Sequence, residues 1–147
     1  LLWSLLDANG AGAWWCDTRP SRHDNDPAGA STRTVLQTGH GRVECWDGLL
    51  ARGETSVLVR LVRPVDDAVT KIVHHLGLGG FETPAAEWSG DVAIAAGSQW
   101  RVTGGASTPC ADGSFVRTRL PLIQGEWTML TIGPATISLG HAGEVAD

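Results

Sequence analysis

Seven tryptophans and no tyrosine are the feature of this 147-residue sequence that bears most directly on ligand chemistry. An exposed indole offers a flat apolar face and one N–H donor, the combination that stacks against a sugar ring. Trp14, Trp15, Trp46, Trp88, Trp100 and Trp127 are the candidates. Trp46, Trp100 and Trp127 stand in alternating apolar segments, where a tryptophan ordinarily packs against sheet or core. Trp88 lies in a stretch rich in turn formers, and Trp14 and Trp15 are adjacent, so that one of the two can stay exposed. Trp88, Trp14 and Trp15 are therefore the expected ligand-binding positions.

The remaining reactive side chains form weaker patterns. His23-Asp24-Asn25-Asp26, with Asp17 nearby, supplies hard oxygen ligands of the kind Ca²⁺ takes. It lacks the alternating spacing and the glycine of a dedicated calcium loop, and Asp and Asn favour solvated turns in any case. No cofactor is expected, Ca²⁺ being the one alternative. His74 and His75 would point to opposite faces of a strand, and neither has a partner at zinc-ligand spacing. No Gly-x-Ser-x-Gly elbow is present, and no cysteine sits in a nucleophile context. Glu44, Asp47, Glu82, Glu87, Asp91 and Glu126 could pair across a cleft as glycosidase carboxylates do, although scattered surface acids are commoner. Arg117 and Arg119 share a strand face and, if Arg101 lies near, could form a subunit or anionic-ligand patch, although a solvated face is the favoured reading. Cys16, Cys45 and Cys110 fit either one disulfide with a free thiol or three buried thiols. No catalytic residue and no metal ligand is assigned.

Composition narrows the classes. One domain, 1–147, is expected, large enough to bury a core without disulfides. Apolar residues are 42% and charged residues 18%, well away from a disordered composition. A net charge of −5 without a local Lys/Arg cluster argues against a nucleic-acid footprint. No apolar run approaches the roughly 18 residues that cross a bilayer. Residues 1–6 lack a basic flank and are followed by Asp7, so they are not read as a signal peptide.

The elements that must position these side chains are strands. The 19 glycines and 7 prolines suit many short strands joined by turns. Residues 31–38 and 42–46 form a hairpin about Gly39-His40-Gly41, and 91–96 with 99–103 a second about Gly97-Ser98. Residues 55–63 are apolar on both faces, as a central covered strand is. Residues 65–76 fit a helix by spacing, but are read as a helical turn followed by a strand over 70–76. In 114–120, Phe115, Arg117 and Arg119 alternate with Val116, Thr118 and Leu120, so one side is wet. Residues 125–140 read as a hairpin turning at Gly133-Pro134, its outer edge closed by 140–147, by 1–6 or by a neighbouring chain. Residues 17–30, 78–89 and 104–112 are loops, the first long and polar. The total is an all-β antiparallel β-sandwich or jelly roll of about eight or nine strands.

Three segments carry a resemblance. Residues 54–64 (Glu-Thr-Ser-Val-Leu-Val-Arg-Leu-Val-Arg-Pro), 70–82 with their Gly-rich turn, and 125–132 (Gly-Glu-Trp-Thr-Met-Leu-Thr-Ile) preceded by Leu120-Pro121-Leu122 resemble, in order, strands of the concanavalin A-like, laminin-G-like sandwich family. The family's calcium-binding aspartates have no counterpart here. The resemblance implies a non-enzymatic recognition module for a glycan or surface protein, extracellular or on a virion surface, oligomeric or part of a larger assembly. A purely structural capsid or tail component and a glycan-processing enzyme are the alternatives on the same sandwich.

Overall fold

The computed structural model describes residues 2–7, 22–25, 31–52, 55–77, 87–95, 98–111 and 115–136. These residues contain twelve strands: β1 (Leu2–Asp7), β2 (Arg22–Asn25), β3 (Ser31–Thr38), β4 (Gly41–Arg52), β5 (Thr55–Pro64), β6 (Lys71–Gly77), β7 (Glu87–Ser89), β8 (Val92–Ala95), β9 (Ser98–Thr103), β10 (Ala106–Pro109), β11 (Val116–Pro121) and β12 (Thr128–Pro134). They form two antiparallel sheets, ordered β1-β6-β11-β10 and β2-β3-β4-β5-β12-β9-β8-β7. Strands β3 to β12 make up seven strands of the larger sheet and three of the smaller, and β2 and β1 extend one edge of each. The fold is all-β and consistent with a β-sandwich. No helix among the described residues is long and apolar enough to cross a membrane.

Period-two patterning explains the layers. Each large-sheet strand from β3 to β12 turns one set of apolar residues inward: Leu36, Val43 and Cys45, Leu58 and Val62, Trp88, Ala93, Trp100 and Val102, Leu130 and Ile132. The smaller sheet answers with Ile72, Leu76, Val116 and Leu120, all fully buried. Burying each of these aliphatic side chains contributes about 1.5–3 kcal/mol. β5 lies between β4 and β12, and its other face, Val57, Val59 and Leu61, is buried as well, in a second cluster with Trp46, Leu50, Trp127 and Met129. The doubly covered strand expected over 55–63 is therefore present.

Both expected hairpins form, β3 with β4 and β8 with β9. Residues 65–70 make the turn expected there: Arg42 binds Asp66 through its backbone N–H at 2.7 Å and its Nη2 at 2.9 Å, and the Val69 N–H donates to the Asp66 carbonyl at 3.1 Å. That turn carries the chain from the larger sheet to the smaller.

Two expectations are corrected. The strand count exceeds eight or nine because β2, β7 and β10 fall inside segments read as loops. The hairpin over 125–140 does not form as expected: β12 runs through Pro134 and pairs with β5 on one side and β9 on the other. Both its edges are occupied by strands distant in sequence. Residues 137–147, expected as the returning arm and closing edge, lie outside the described residues, and β1 instead borders β6 in the smaller sheet.

Candidate binding surface

The outer face of the larger sheet gathers the aromatic and charged side chains that sequence left scattered. Cross-strand register puts Arg33 opposite Trp46, Glu44 opposite Arg63, and Trp46 opposite Leu61. Glu44 joins two strands: Arg33 Nε reaches its Oε1 at 2.7 Å, and Arg63 Nη2 donates to its Oε2. The Arg63 guanidinium then covers the Trp127 ring, 4.5 Å from its centroid, with Arg33 at 5.9 Å. Such cation–π contacts contribute about 0.5–1 kcal/mol where partly exposed, and they fix the indole in orientation.

Trp46 is held differently. A Cβ placed on Gly48 would stand 2.5 Å from Trp46 Cη2 and 2.9 Å from Cζ3. The six-membered ring therefore lies down over Gly48, two residues along the same strand face, in space that only glycine leaves. Beneath the two indoles, Val57, Val59 and Leu61 are buried to within 2%. The result is a half-buried aromatic floor with a carboxylate and two guanidiniums fixed beside it. Such a surface can stack an apolar ring face and hydrogen-bond its hydroxyls.

A second polar group spans the sandwich interior. Arg60 sits between Leu58 and Val62 on the inward face of β5, where Asp47 of β4 meets it through both oxygens, at 2.6 and 2.8 Å. Its Nη1 lies 3.2 Å from His74 Nε2 of β6 in the opposite sheet. A guanidinium only donates, so Nε2 accepts and the ring is neutral with its proton on Nδ1. Burial, then the charges of Arg60 and His75, hold His74 well below the ordinary histidine value. Cys45 beside this group is pushed up to about 12, mainly by burial. A neutral, fully buried imidazole and a protonated thiol are packing and bridging groups in this setting.

The sequence candidates fall out as follows. Trp88 is on β7 with only 7% exposure, packed into the main core, so the expected exposed platform is not present there. Trp14 and Trp15 lie outside the described residues. Trp100 packs against the main core, and Trp46 and Trp127 against Val57, Val59 and Leu61, all as expected; the last two stay partly exposed and form the aromatic floor. The signals were Gly48 two residues after Trp46 and the same-face offsets of Arg33 and Arg63, which acquire meaning only once the register is known. His23, Asp24 and Asn25 fall on β2 rather than in a turn. His74 and His75 take opposite faces. Cys45 and Cys110 are free thiols. Arg101 is separated from Arg117 and Arg119: it stands on the larger sheet, 3.6 Å from Asp91. Among the described residues no group of three or more His, Cys, Asp or Glu is placed to hold a metal ion. Comparison with protein-family models, curated proteins and solved structures gives no match to this chain.

Proposed function

We propose that this chain is a non-enzymatic recognition module that binds a glycan across the outer face of the larger sheet. The observation that carries this reading is the Trp46–Trp127 floor flanked by Arg33, Glu44 and Arg63. Sugar rings pair an apolar C–H face with a rim of hydroxyls, and this surface pairs flat indoles with fixed donors and acceptors of both charges. The broad face of an antiparallel sandwich also suits the concanavalin A-like, laminin-G-like family, whose strands residues 54–64, 70–82 and 125–132 resemble.

Glycan-array binding by the wild type, followed by titration of the best ligand, tests the proposal. Trp46→Ala should weaken that ligand by about tenfold, the equivalent of roughly 1.4 kcal/mol of lost stacking. Gly48→Ala should do the same while keeping the indole, because the added methyl lifts the ring from its place. Trp100→Phe, on the inward face, should leave affinity unchanged. An array without hits, together with a stable trimer or larger assembly by size exclusion, would replace glycan recognition with a purely structural subunit.

A further inference from the structure

We infer that the outer face of the smaller sheet holds an oxyanion site, in which Arg117 and Arg119 bind a sulfate or phosphate group, free or carried on a sugar. The site lies on the opposite side of the sandwich from the tryptophan floor and does not depend on it. Strand β11 alternates strictly, with Val116, Thr118 and Leu120 buried and Arg117, Arg119 and Pro121 exposed. The two guanidiniums therefore leave the same face, their Cα atoms about 7 Å apart along the strand. Register places Thr108 and His75 beside Arg117, and Ala106 and Val73 beside Arg119. The small residues of β10 leave a cleft of about 480 Å³ there, lined by Thr108, Pro109, Cys110, Ala111, Arg117 and Arg119. That is within the usual range for a small-ligand site.

Charge is what singles out this cleft. Arg33, Arg42, Arg60, Arg63 and Arg101 each meet an Asp or Glu carboxylate. Among the described residues neither Arg117 nor Arg119 has one. Strands β6, β10 and β11 contain no acidic residue, and Lys71 adds a further cation to the same face. The protein carries a net charge of −5, yet among the described residues two arginines without a carboxylate partner stand side by side over this cleft. Two neighbouring like charges repel, and a bound dianion relieves that repulsion. Arg117 is also oriented: its Nε donates to His75 Nε2 at 3.2 Å, which leaves the two Nη groups as the fork toward the cleft. Burial and the neighbouring Arg117 charge hold His75 below its ordinary value, which keeps Nε2 an acceptor. Guanidinium forks match tetrahedral oxyanions through paired hydrogen bonds, and Thr108 offers a hydroxyl beside them.

Calorimetric titration at low ionic strength with sodium sulfate, inorganic phosphate, N-acetylglucosamine 6-sulfate and neutral N-acetylglucosamine tests the inference. The three oxyanions should bind and the neutral sugar should not. A tighter sulfated sugar would identify a sugar-borne group as the source, and equal affinities a free anion. Arg117→Gln and Arg119→Gln should each weaken binding by about tenfold or more, as expected for the loss of one charge-assisted fork. Trp46→Ala should leave it unchanged. A second readout needs no arginine variant: in a Cys16→Ser background, the ligand should slow alkylation of Cys110 by neutral iodoacetamide. No binding at about 10 mM oxyanion, beyond the millimolar range of weak ligands, would overturn the site. So would wild-type affinity in the Arg117→Gln/Arg119→Gln double variant, or Cys110 labelling indifferent to bound anion.

Discussion

His74 is the side chain whose chemistry is most altered by its position. In the unfolded chain it titrates near the ordinary histidine value of 6.5, whereas in the fold burial and Arg60 depress it strongly. The unfolded state therefore binds more protons below about pH 6.5, and stability must rise with pH through that window. His74 contributes fully above about 6.5 and progressively less as pH falls toward its lowered folded value, at up to about 1.4 kcal/mol per pH unit. His75 shifts in the same direction from a half-buried position. Urea unfolding at pH 7.5 and 5.5 should show a marked loss for the wild type and a much smaller one for His74→Gln, whose amide oxygen still accepts from Arg60. Equal losses in both proteins would remove His74 as the source. Asp47→Asn tests the other end of the same group. Losing one partner of a fully buried pair costs about 3–5 kcal/mol, but the Asp47 side chain keeps 39% exposure, so about 2 kcal/mol is expected at neutral pH.

Among the elements, those legible in sequence have a strong period of two. β3, β4, β5, β8, β9 and β11 each alternate or run apolar, because the layer between the sheets demands it. β2, β7 and β10 did not read as strands, and all three are sheet edges. An edge strand shares fewer core contacts, so its residues are free to look like loop: Ala106–Pro109 buries none of its four residues fully. The error at β12 has a different origin. Gly133-Pro134 is a sound local turn signal, but local chemistry says nothing about β5 and β9 claiming both edges of the strand. The proposed binding surface is non-local in the same way, since Arg33, Glu44, Arg63 and Trp127 converge only through the pairing of three strands and the residue that leads into β12. The step from β9 to β10 shows how tightly such long-range packing constrains the chain. Gly104 has φ +120°, and a Cβ there would lie 1.9 Å from the Met129 carbonyl oxygen of β12. Backbone cannot yield as a flexible side chain does. Gly104→Ala should cost at least the roughly 1–3 kcal/mol of overpacking and strain, read as a lowered urea midpoint with an unchanged slope. A midpoint equal to that of the wild type would mean that the crossing is looser than this geometry requires.

For the molecule as a whole, the question is whether the two sheets separate only on global unfolding. Cys45 reports on this directly. It is 1% exposed on the inward face of β4, in the same cluster as Ile72, Leu76, Val116 and Leu120 of the opposite sheet. Its thiol is held at about 12, so even at mildly alkaline pH almost none is thiolate in the folded state. Cys110 is only half-buried, at the smaller sheet's outer cleft. A Cys16→Ser/Cys110→Ser variant leaves Cys45 as the only thiol, and its labelling rate measures the opening reaction. If the sandwich is one cooperative unit, the logarithm of that rate rises with urea at the slope of global unfolding, and extrapolates to the same stability in water. A shallower dependence would mean that the smaller sheet lifts away by itself. The first outcome is expected, because the core between the sheets is continuous and the Asp47–Arg60–His74 bridge crosses it. Parting the layers exposes more than a dozen buried apolar side chains and breaks the Arg60–His74 contact, so partial opening recovers too little chain entropy to compete with complete unfolding.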